Sequence, residues 1–240
     1  MKVGLSVSTA DPMVSEALAC CGADIVWIDM EHAPLGKREV LAHITAVHCA
    51  GASAFVRLPA ADANLSKPVL DMGADALVFP MVSTAEEAGI AAACMCYPPE
   101  GTRGYGPLAA NKYGEDADYA LHARERLLCC VQLETGKAVE HAGEICAVSG
   151  IDAVIIGSMD LSYELGCPGR FLDGAFVSAV REISCQARRA GIKLGCFAPY
   201  TPEALELYGS VGVDFFLCSG DLALMTKAAR EMLSELRGLS

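Results

Sequence analysis

Residues 22–29 read Gly-Ala-Asp-Ile-Val-Trp-Ile-Asp, and this order of a glycine, an aspartate and a short apolar run returns along the chain. Equivalent triplets occur at 73–75 (Gly-Ala-Asp), 150–152 (Gly-Ile-Asp) and 212–214 (Gly-Val-Asp), and Gly51 and Gly191 stand at two similar places. Glycine commonly ends a helix, and continuous apolar runs are typical of strands buried on both faces of a parallel sheet. The repeat therefore predicts alternating helices and strands.

Eight strand–helix units follow from this pattern. The predicted strands are 3–7, 25–29, 54–57, 76–79, 128–133, 153–156, 193–197 and 215–218. The predicted helices are 13–21, 38–50, 64–72, 84–95, 138–148, 173–190, 202–211 and 222–236. Eight units in 240 residues predict an α/β fold of one domain, residues 1–240, as a single (β/α)8 TIM barrel. The alternative, an open doubly wound sheet, lacks its usual glycine-rich nucleotide turn here.

Composition narrows the possible partners. A formal charge of -12 would repel nucleic acid and anionic membranes, so we expect small-molecule substrates instead. No apolar stretch approaches the roughly 18 residues of a membrane span, and residues 1–2 lead straight into a predicted strand, which favours a cytoplasmic protein. Most of the twelve cysteines fall inside apolar runs without paired C-x-x-C spacing, which predicts reduced core thiols rather than disulfides or a zinc site.

Polar side chains stand where four apolar runs end. They are Asp29, Arg57, Glu134 and, slightly later, Asp160. In a TIM barrel the carboxyl ends of the strands carry the active site, so this placement predicts an enzyme. Gln132, two residues before Glu134, and His32, shortly after Asp29, belong to the same predicted mouth.

Each of these residues has a chemical and a structural interpretation. Glu134 and Asp160 suit a hard divalent cation such as Mg²⁺ or Mn²⁺, or they pair with Arg57 or cap a helix. Asp29 and His32 could form an acid/base dyad, or the histidine is an ordinary loop residue. Arg57 offers a donor fork for a carboxylate or oxyanion, or forms a structural ion pair.

Six motifs, in order along the chain, resemble the pyruvate-dependent class II aldolases of the aldolase/citrate lyase family, in particular those acting on 4-hydroxy-2-oxoheptanedioate and 2-keto-3-deoxy sugar acids. The motifs are WIDMEHAP (27–34), VRLP (56–59), LDMGA (70–74), YPPEGTRG (97–104), QLET (132–135) and IGSMDLS (156–162). Together they are far more specific than any one of them.

The resemblance implies a TIM barrel of the phosphoenolpyruvate/pyruvate-binding type with defined site residues. A glutamate and an aspartate, here Glu134 and Asp160, would bind Mg²⁺, Mn²⁺ or Co²⁺, with no organic cofactor. His32, supported by Asp29, would move a proton at the aldehyde-derived hydroxyl, and Arg57 would stabilise enolate charge. The pyruvyl group would be bound by Arg57, Gln132, Gly157, Ser158, Met159 and Asp160, the residues around 157–160 through backbone N–H groups.

The resemblance also implies a homohexamer whose neighbours complete each site, with Asp71 of the LDMGA motif reaching an adjacent site. The long loop 97–114 is expected to be functional because loops of this length usually are. An apolar stripe in the last predicted helix suits either the barrel wall or a neighbouring subunit. Its members are Leu222, Met225, Ala229, Met232 and Leu236.

Three departures from the family concern specificity. A tryptophan common near Ser6 and arginines common near Leu108 and Ala109 are missing, which predicts altered aldehyde selectivity. The expected reaction is reversible cleavage of a 4-hydroxy-2-oxo acid to pyruvate and an aldehyde, with oxaloacetate decarboxylation as a side activity. The alternatives are a thioester lyase of the citrate lyase or malyl-coenzyme A lyase kind, and a non-catalytic barrel that binds pyruvate-like acids.

Overall fold

The computed structural model describes residues 1–238, and within them a closed barrel of eight parallel strands confirms the predicted (β/α)8 fold. The strands pair in sequence order, and β1 also pairs with β8 to close the barrel. They are β1 (Lys2–Val7), β2 (Ile25–Asp29), β3 (Ser53–Arg57), β4 (Ala76–Phe79), β5 (Leu128–Leu133), β6 (Ala153–Gly157), β7 (Lys193–Phe197) and β8 (Phe215–Gly220). We call the carboxyl ends of these strands the mouth and their amino ends the base.

Helices connect the strands. They are α1 (Pro12–Cys20), α2 (Lys37–Cys49), α3 (Ala63–Asp71), α4 (Ala85–Met95), α5 (Tyr119–His122), α6 (Gly136–Glu140), α7 (Ala142–Cys146), α8 (Ser158–Glu164), α9 (Gly174–Ala190), α10 (Pro202–Val211) and α11 (Asp221–Arg237). Several begin at an aspartate or threonine whose side chain accepts from a first-turn N–H, as Asp62, Thr84 and Thr135 do for α3, α4 and α6. None of the helices within residues 1–238 has the length and apolar character of a membrane span.

Three helix predictions need correction. The helix predicted over 138–148 is two short helices, α6 and α7, because His141 between them has φ −101° and ψ 11°, outside helical geometry. Residues 158–164, which lie outside every predicted helix, form α8. The six glycines of the repeat all have positive φ, but Gly150 lies three residues beyond Ala147, the C-cap of α7.

The barrel interior is filled by alternate residues of the strands, because successive strand side chains point to opposite faces. Ile25 and Trp27 of β2 point inward, together with Phe55 of β3, Cys130 of β5 and Ile155 of β6. The intervening residues pack against the helices in a larger outer core. All twelve cysteines are free and half of them are buried. The inward rows continue toward the mouth, and this places the candidate site.

The base carries a regular set of hydrogen bonds from the repeated aspartates. Each stands just before an even-numbered strand, and its carboxylate accepts a backbone N–H of the preceding odd-numbered strand. The pairs are Asp24 with Val3 (2.9 Å), Asp75 with Ala54 (2.7 Å), Asp152 with Cys129 (2.7 Å) and Asp214 with Leu194 (2.9 Å). The glycine–aspartate repeat therefore ties neighbouring strands together in pairs.

The last helix does not join the barrel wall. Of the residues 221–237, only Asp221 is buried, and it holds the start of α11 to the loop after β1 by accepting from Ser8 and Thr9. The apolar stripe is left open to solvent, with Met225 61% and Met232 56% exposed. Of the two expected locations for this stripe, the barrel wall is wrong.

Candidate active site

The inward rows of four strands end in predicted site residues. Asp29 and Arg57 follow Trp27 and Phe55 by two positions, and Gln132 and Gly157 follow Cys130 and Ile155 in the same way. Side chains with this parity face the barrel axis and meet at the mouth. Sequence spacing alone therefore brings them together.

A cavity of about 610 Å³ opens at the mouth. Its lining includes seven of the predicted site residues, namely His32, Arg57, Gln132, Gly157, Ser158, Met159 and Asp160. The other wall is formed by Ser6, Phe197 to Tyr200, Ser219, Gly220 and the first turns of α11. The cavity thus has a polar side near β2 to β6 and a more apolar side near β7 and β8.

Glu134 does not itself line the cavity: it is only 2% exposed and lies beside Gln132 and Gly157, which do line it. Its pKa is raised to about 7, mainly by burial; the nearby carboxylates Asp160 and Glu31 act in the same direction, and the hydrogen bonds from Met81 and Gln132 act against it. Met81 N donates to Glu134 Oε1 at 2.7 Å, from a residue with φ of 57° in the left-handed region. A strained backbone therefore aims an N–H at this carboxylate.

Gln132 and Gly157 complete the surroundings of Glu134. Gln132 Nε2 donates to Glu134 Oε2, while Gln132 Oε1 is buried and has no hydrogen-bond partner among residues 1–238. A Cβ at Gly157 would lie 2.6 Å from Gln132 Nε2 and closer still to Glu134 Oε2. Only glycine fits at this position without displacing both side chains.

These donors fit a hard divalent cation. Glu134 and the exposed Asp160 supply carboxylate oxygens, and Gln132 leaves an amide oxygen without a partner. Such oxygens are the ligands that Mg²⁺ and Mn²⁺ prefer, and a bound cation would offset the mutual repulsion of the carboxylates. Within residues 1–238, no group of three or more His, Cys, Asp or Glu side chains is arranged to hold a metal ion. A hard cation bound at Glu134 and Asp160 would have two carboxylate ligands from the protein, and such ions commonly keep several water or substrate ligands.

Arg57 is buried and held on several sides. Its Nε and Nη2 donate to the two oxygens of Asp29 at 3.0 and 2.7 Å, and its Nη1 lies 2.9 Å from Glu31 Oε2. The guanidinium also stacks over Trp27, with 5.4 Å from its central carbon to the ring centroid. The ion-pair interpretation of Arg57 is correct, and the residue still lines the cavity with donor hydrogens to spare.

The structure shows no hydrogen bond between the Asp29 carboxylate and the His32 imidazole of the predicted dyad. Asp29 binds Arg57 and accepts from the backbone N–H groups of Glu31 (3.0 Å) and His32 (3.4 Å), rather than from the imidazole. The carboxylate beside the ring is that of Glu31, whose Oε2 is 3.8 Å from His32 Nε2. The acid next to the His32 ring is therefore its neighbour in sequence, Glu31, and not Asp29 three residues earlier.

Asp71 does not lie in the mouth of its own barrel. It ends α3, which starts near the mouth and runs to the base, and its Oδ1 accepts from Arg103 Nη2 at 3.1 Å. Burial raises the pKa of Asp71, against the effect of Arg103. The long loop 97–114 follows α4 and contacts the end of α3, so it also lies on the base side, away from the mouth of its own barrel.

Arg103 was missed by the sequence analysis. Its side chain is fully buried between the rings of Tyr97 and Tyr119, 4.5 and 5.6 Å from their centroids. Its Nε and Nη1 have no hydrogen-bond partner among residues 1–238. The YPPEGTRG motif contained it, but nothing in the spacing indicated that a loop arginine would be buried. Met81 was missed for a similar reason, because backbone strain has no signature in residue type.

The mouth geometry agrees with the similarity found to known proteins. The model of a family described as HpcH/HpaI aldolase/citrate lyase matches residues 2–209. A 2-dehydro-3,6-dideoxy-6-sulfogluconate aldolase of Pseudomonas putida is 33% identical over 98% of this chain and 92% of its own length. A hydroxypyruvate/pyruvate aldolase of Delftia acidovorans is 36% identical over 98% of this chain and 87% of its own.

A solved structure is similar over the whole fold. A HpcH/HpaI aldolase/citrate lyase family protein from Burkholderia cenocepacia superposes with a TM-score of 0.92 at 31% identity, covering 98% of this chain and 94% of that one. The similarity therefore extends over the barrel, its mouth and the loops at its base.

Proposed function

Because the chain belongs to the HpcH/HpaI aldolase/citrate lyase family, we propose that it is a divalent-metal-dependent pyruvate aldolase. It reversibly cleaves a 4-hydroxy-2-oxo acid into pyruvate and an aldehyde, as a single catalytic domain in the cytoplasm. Its partners are small 2-oxo acids and aldehydes, without an organic cofactor.

The observation that carries this proposal is the buried carboxylate of Glu134, which lies beside two cavity-lining residues, Gln132 and Gly157. An acid 2% exposed, with its pKa raised to about 7 and with Asp160 close by, is costly for the fold unless a cation balances it. Mg²⁺, Mn²⁺ or Co²⁺ held by Glu134 and Asp160 would supply Lewis-acid stabilisation of the charge that develops on the pyruvyl keto oxygen, typically worth several kcal/mol.

The protein groups around that charge have distinct tasks. Gln132, fixed through its hydrogen bond to Glu134, lines the cavity and helps to position the pyruvyl group. Arg57, fixed by Asp29, brings a preorganised cation to the same face of the cavity. The start of α8 has no side-chain cap, so its first backbone N–H groups are available. Those of Gly157, Ser158, Met159 and Asp160 bind the pyruvyl carboxylate.

His32 is the proton carrier of the reaction. It lines the cavity, and its side chain is 68% exposed, so the ring can turn toward the aldehyde-derived hydroxyl. General acid–base catalysis of this kind typically contributes about 10²- to 10⁴-fold. Removing the proton from the hydroxyl drives cleavage of the carbon–carbon bond, and the reverse step completes aldol addition.

Ser6 affects substrate selectivity within this barrel. Leu108 and Ala109, which replace arginines common in the family, do not. Ser6 lines the cavity and its Oγ donates to Ser219 O at 3.0 Å, leaving room that a tryptophan would fill. Leu108 and Ala109 lie on the base side beside α3. Lost cationic charge in that loop can therefore change specificity only in an oligomer.

We propose that the active form is a homo-oligomer, a hexamer by family resemblance, in which α11 and the Asp71 region meet neighbours. The exposed stripe on α11 supports this, since apolar side chains of this size usually cover a partner surface. Sedimentation of Met225→Glu/Met232→Glu beside the unchanged protein tests it, and dissociation to smaller species is expected.

The test of the function is pyruvate release by chelator-treated protein from a panel of 4-hydroxy-2-oxo acids and oxaloacetate, with and without Mg²⁺, Mn²⁺ or Co²⁺. Release that requires added metal is expected, and the ranking within the panel identifies the substrate class. No release from any acid by metal-loaded, folded protein would overturn the proposal. A coenzyme A thioester included in the panel would then identify a thioester lyase.

A further inference from the structure

The apolar side of the mouth cavity is built partly on the start of the last helix. Three residues of this helix line it, and we call them the α11 wall: Ala223, Leu224 and Lys227. Of the residues 221–237, only Asp221 is buried, so the barrel does not hold the rest of α11 in place. The position of the α11 wall therefore depends on how the first residue of the helix is anchored.

Asp221 is anchored by five hydrogen bonds. Its Oδ1 accepts from Ser8 Oγ and from Leu222 N, both at 2.8 Å. Its Oδ2 accepts from Ser8 N (3.1 Å), Thr9 N (3.0 Å) and Thr9 Oγ1 (2.7 Å). Burial disfavours the ionised form, but the hydrogen bonds from Thr9 and Ser8 outweigh it and hold the pKa of Asp221 below its ordinary value. A charged carboxylate thus ties α11 to the loop after β1.

The loop after β1 is held in turn by a buried histidine of α2. His43 is 0% exposed, its Nε2 lies 2.9 Å from Thr9 O, and its Nδ1 lies 2.7 Å from the Oγ of Ser15 on α1. Because a backbone carbonyl can only accept, Nε2 carries the proton, and in the neutral ring Nδ1 accepts from the Ser15 hydroxyl. Burial lowers the pKa of His43, which favours this neutral ring. Two helices therefore fix the backbone at Thr9.

The junction between β8 and α11 is strained. Ser219, two residues before Asp221, has φ of 51° in the left-handed region. Residues other than glycine adopt this conformation at a cost in free energy, and they keep it where the surrounding contacts determine it. Ser219 also lines the cavity and accepts from Ser6 Oγ at 3.0 Å. The strained residue thus belongs to the same side of the cavity that Asp221 anchors.

We propose that Asp221 is a positioning residue for the aldehyde half of the substrate, acting through the α11 wall, and that His43 supports it through Thr9. The inference rests on the proposed aldolase function. With the pyruvyl group beside Gln132 and Gly157, the aldehyde-derived half of a 4-hydroxy-2-oxo acid occupies the remaining space, toward the α11 wall. The longer this half is, the more of its contacts depend on the anchor.

A series of substrates tests this assignment in Asp221→Asn, which keeps the shape of the side chain but places an NH₂ group against N–H donors. We expect kcat/KM to fall about tenfold or more for 4-hydroxy-2-oxoheptanedioate, about threefold for 4-hydroxy-2-oxopentanoate and less than about twofold for oxaloacetate, which has no aldehyde half. The fall should be mainly in KM, because the reacting groups on β2, β3 and β5 are unchanged. An equal fall for all three acids, or no fall for the heptanedioate, would overturn the proposal.

Variants of His43 separate the support of Thr9 from packing. His43→Gln keeps an N–H donor for Thr9 O, whereas His43→Leu fills similar space without one. His43→Leu should reproduce the substrate-dependent loss, and His43→Gln should restore most of the activity. The loss in Asp221→Asn/His43→Leu should be smaller than the product of the two single losses, because both changes act on one loop. Independent losses, or equal effects of Gln and Leu, would refute the role of His43.

Asp173→Asn is the matched control. Asp173 caps the start of α9 by accepting from Ala175 N, and it lies outside the lining of the mouth cavity. Its ranking of the three acids should equal that of the unchanged protein. Sedimentation of every variant keeps a change of assembly apart from a change in the wall.

Hydrogen exchange measured by mass spectrometry tests the anchor without turnover. In Asp221→Asn and His43→Leu, the backbone amides of residues 8–10 and 221–227 should exchange faster, while those of β5 and β6 should not. Unchanged exchange at 8–10 and 221–227 would sink the anchor by itself. Faster exchange in the variants, together with no cleavage of any acid by the unchanged protein, would instead sink the proposed function and leave the anchor in place.

Discussion

The mouth and the base of the barrel use the same acidic residue types under opposite conditions. At the base, four aspartates each accept a backbone N–H of the preceding strand, and two also bind a side chain. At the mouth, Glu31 and Glu134 have pKa values raised by burial and by neighbouring carboxylates. Acids at both ends have hydrogen-bond donors, but those at the base lie apart from one another, whereas those at the mouth lie close together. The difference teaches that stability and chemistry are separated along the strand direction.

The largest effect is expected from neutralising Glu134, the buried acid beside the cavity. Glu134→Gln should lower kcat by at least about a thousandfold, because it removes a metal ligand and with it several kcal/mol of charge stabilisation. The free energy of unfolding should stay the same or rise, since a buried, crowded charge is lost. Activity assays and urea unfolding check both. Substantial metal-dependent turnover in this variant would remove Glu134 from the ligand set.

The next effect concerns pH. The pKa of Glu134 is raised from 4.5 to about 7, so the folded state holds this proton more tightly than the unfolded chain. Stability of the metal-free protein should therefore fall as the pH rises from about 4.5 to about 7, by about 3 kcal/mol from this group, and level off above. Glu134→Gln should lack this component in urea unfolding across the pH range, and added Mn²⁺ should suppress it.

At the base, in contrast, removing an acid should lower the stability of the fold and leave turnover unchanged. Asp152→Ala removes the acceptor of Cys129 N and of Arg124 Nη2, both at 2.7 Å. Leaving these donors short of a partner should cost about 1–3 kcal/mol of unfolding free energy. Turnover at saturating substrate and metal should be unchanged, because Asp152 lies at the far end of β6 from the cavity. A loss of kcat without a loss of stability would contradict the separation of the two ends.

The smallest effect is expected at Asp24, whose bond to Val3 N is solvent-exposed. Asp24→Asn keeps an acceptor oxygen, so the unfolding free energy should change by no more than about 0.5 kcal/mol. Thermal unfolding of Asp24→Asn beside Asp152→Ala would rank the base positions by burial. A cost at Asp24 as large as that at Asp152 would indicate that charge, and not hydrogen bonding, is what these aspartates contribute.

The sequence predicted the barrel because its signals are local and repeated. Apolar runs of strand length, glycines after helices and polar residues at run ends can each be recognised within a few positions of the sequence. The alternation of strand side chains then indicates which of these residues meet at the mouth. The sequence did not indicate which of several nearby groups each side chain would bind. Asp29 stands three residues from His32 and 28 from Arg57, and the spacing favoured the nearer one, yet the bidentate fit of a guanidinium decided the pairing.

The location of the last helix could not be predicted from the sequence either. Its apolar stripe has the period of any helix that covers a core, and both locations satisfy that period. Only the three-dimensional structure shows that α11 leaves the wall after Asp221. Buried Arg103 and the strained Met81 likewise depend on long-range geometry that no local pattern encodes.

The pairing of strands by the base aspartates has a consequence for rearranging the chain. Because each carboxylate reaches back to the preceding odd-numbered strand, the structural module is two strands with their helices, repeated four times around the axis. Circular permutants opened between β2 and β3 or between β4 and β5 keep every module whole, while those opened between β1 and β2 or between β3 and β4 cut one. Permutants of the first kind should unfold at higher temperature than those of the second, and quarter-barrel exchange with relatives should follow the same joints.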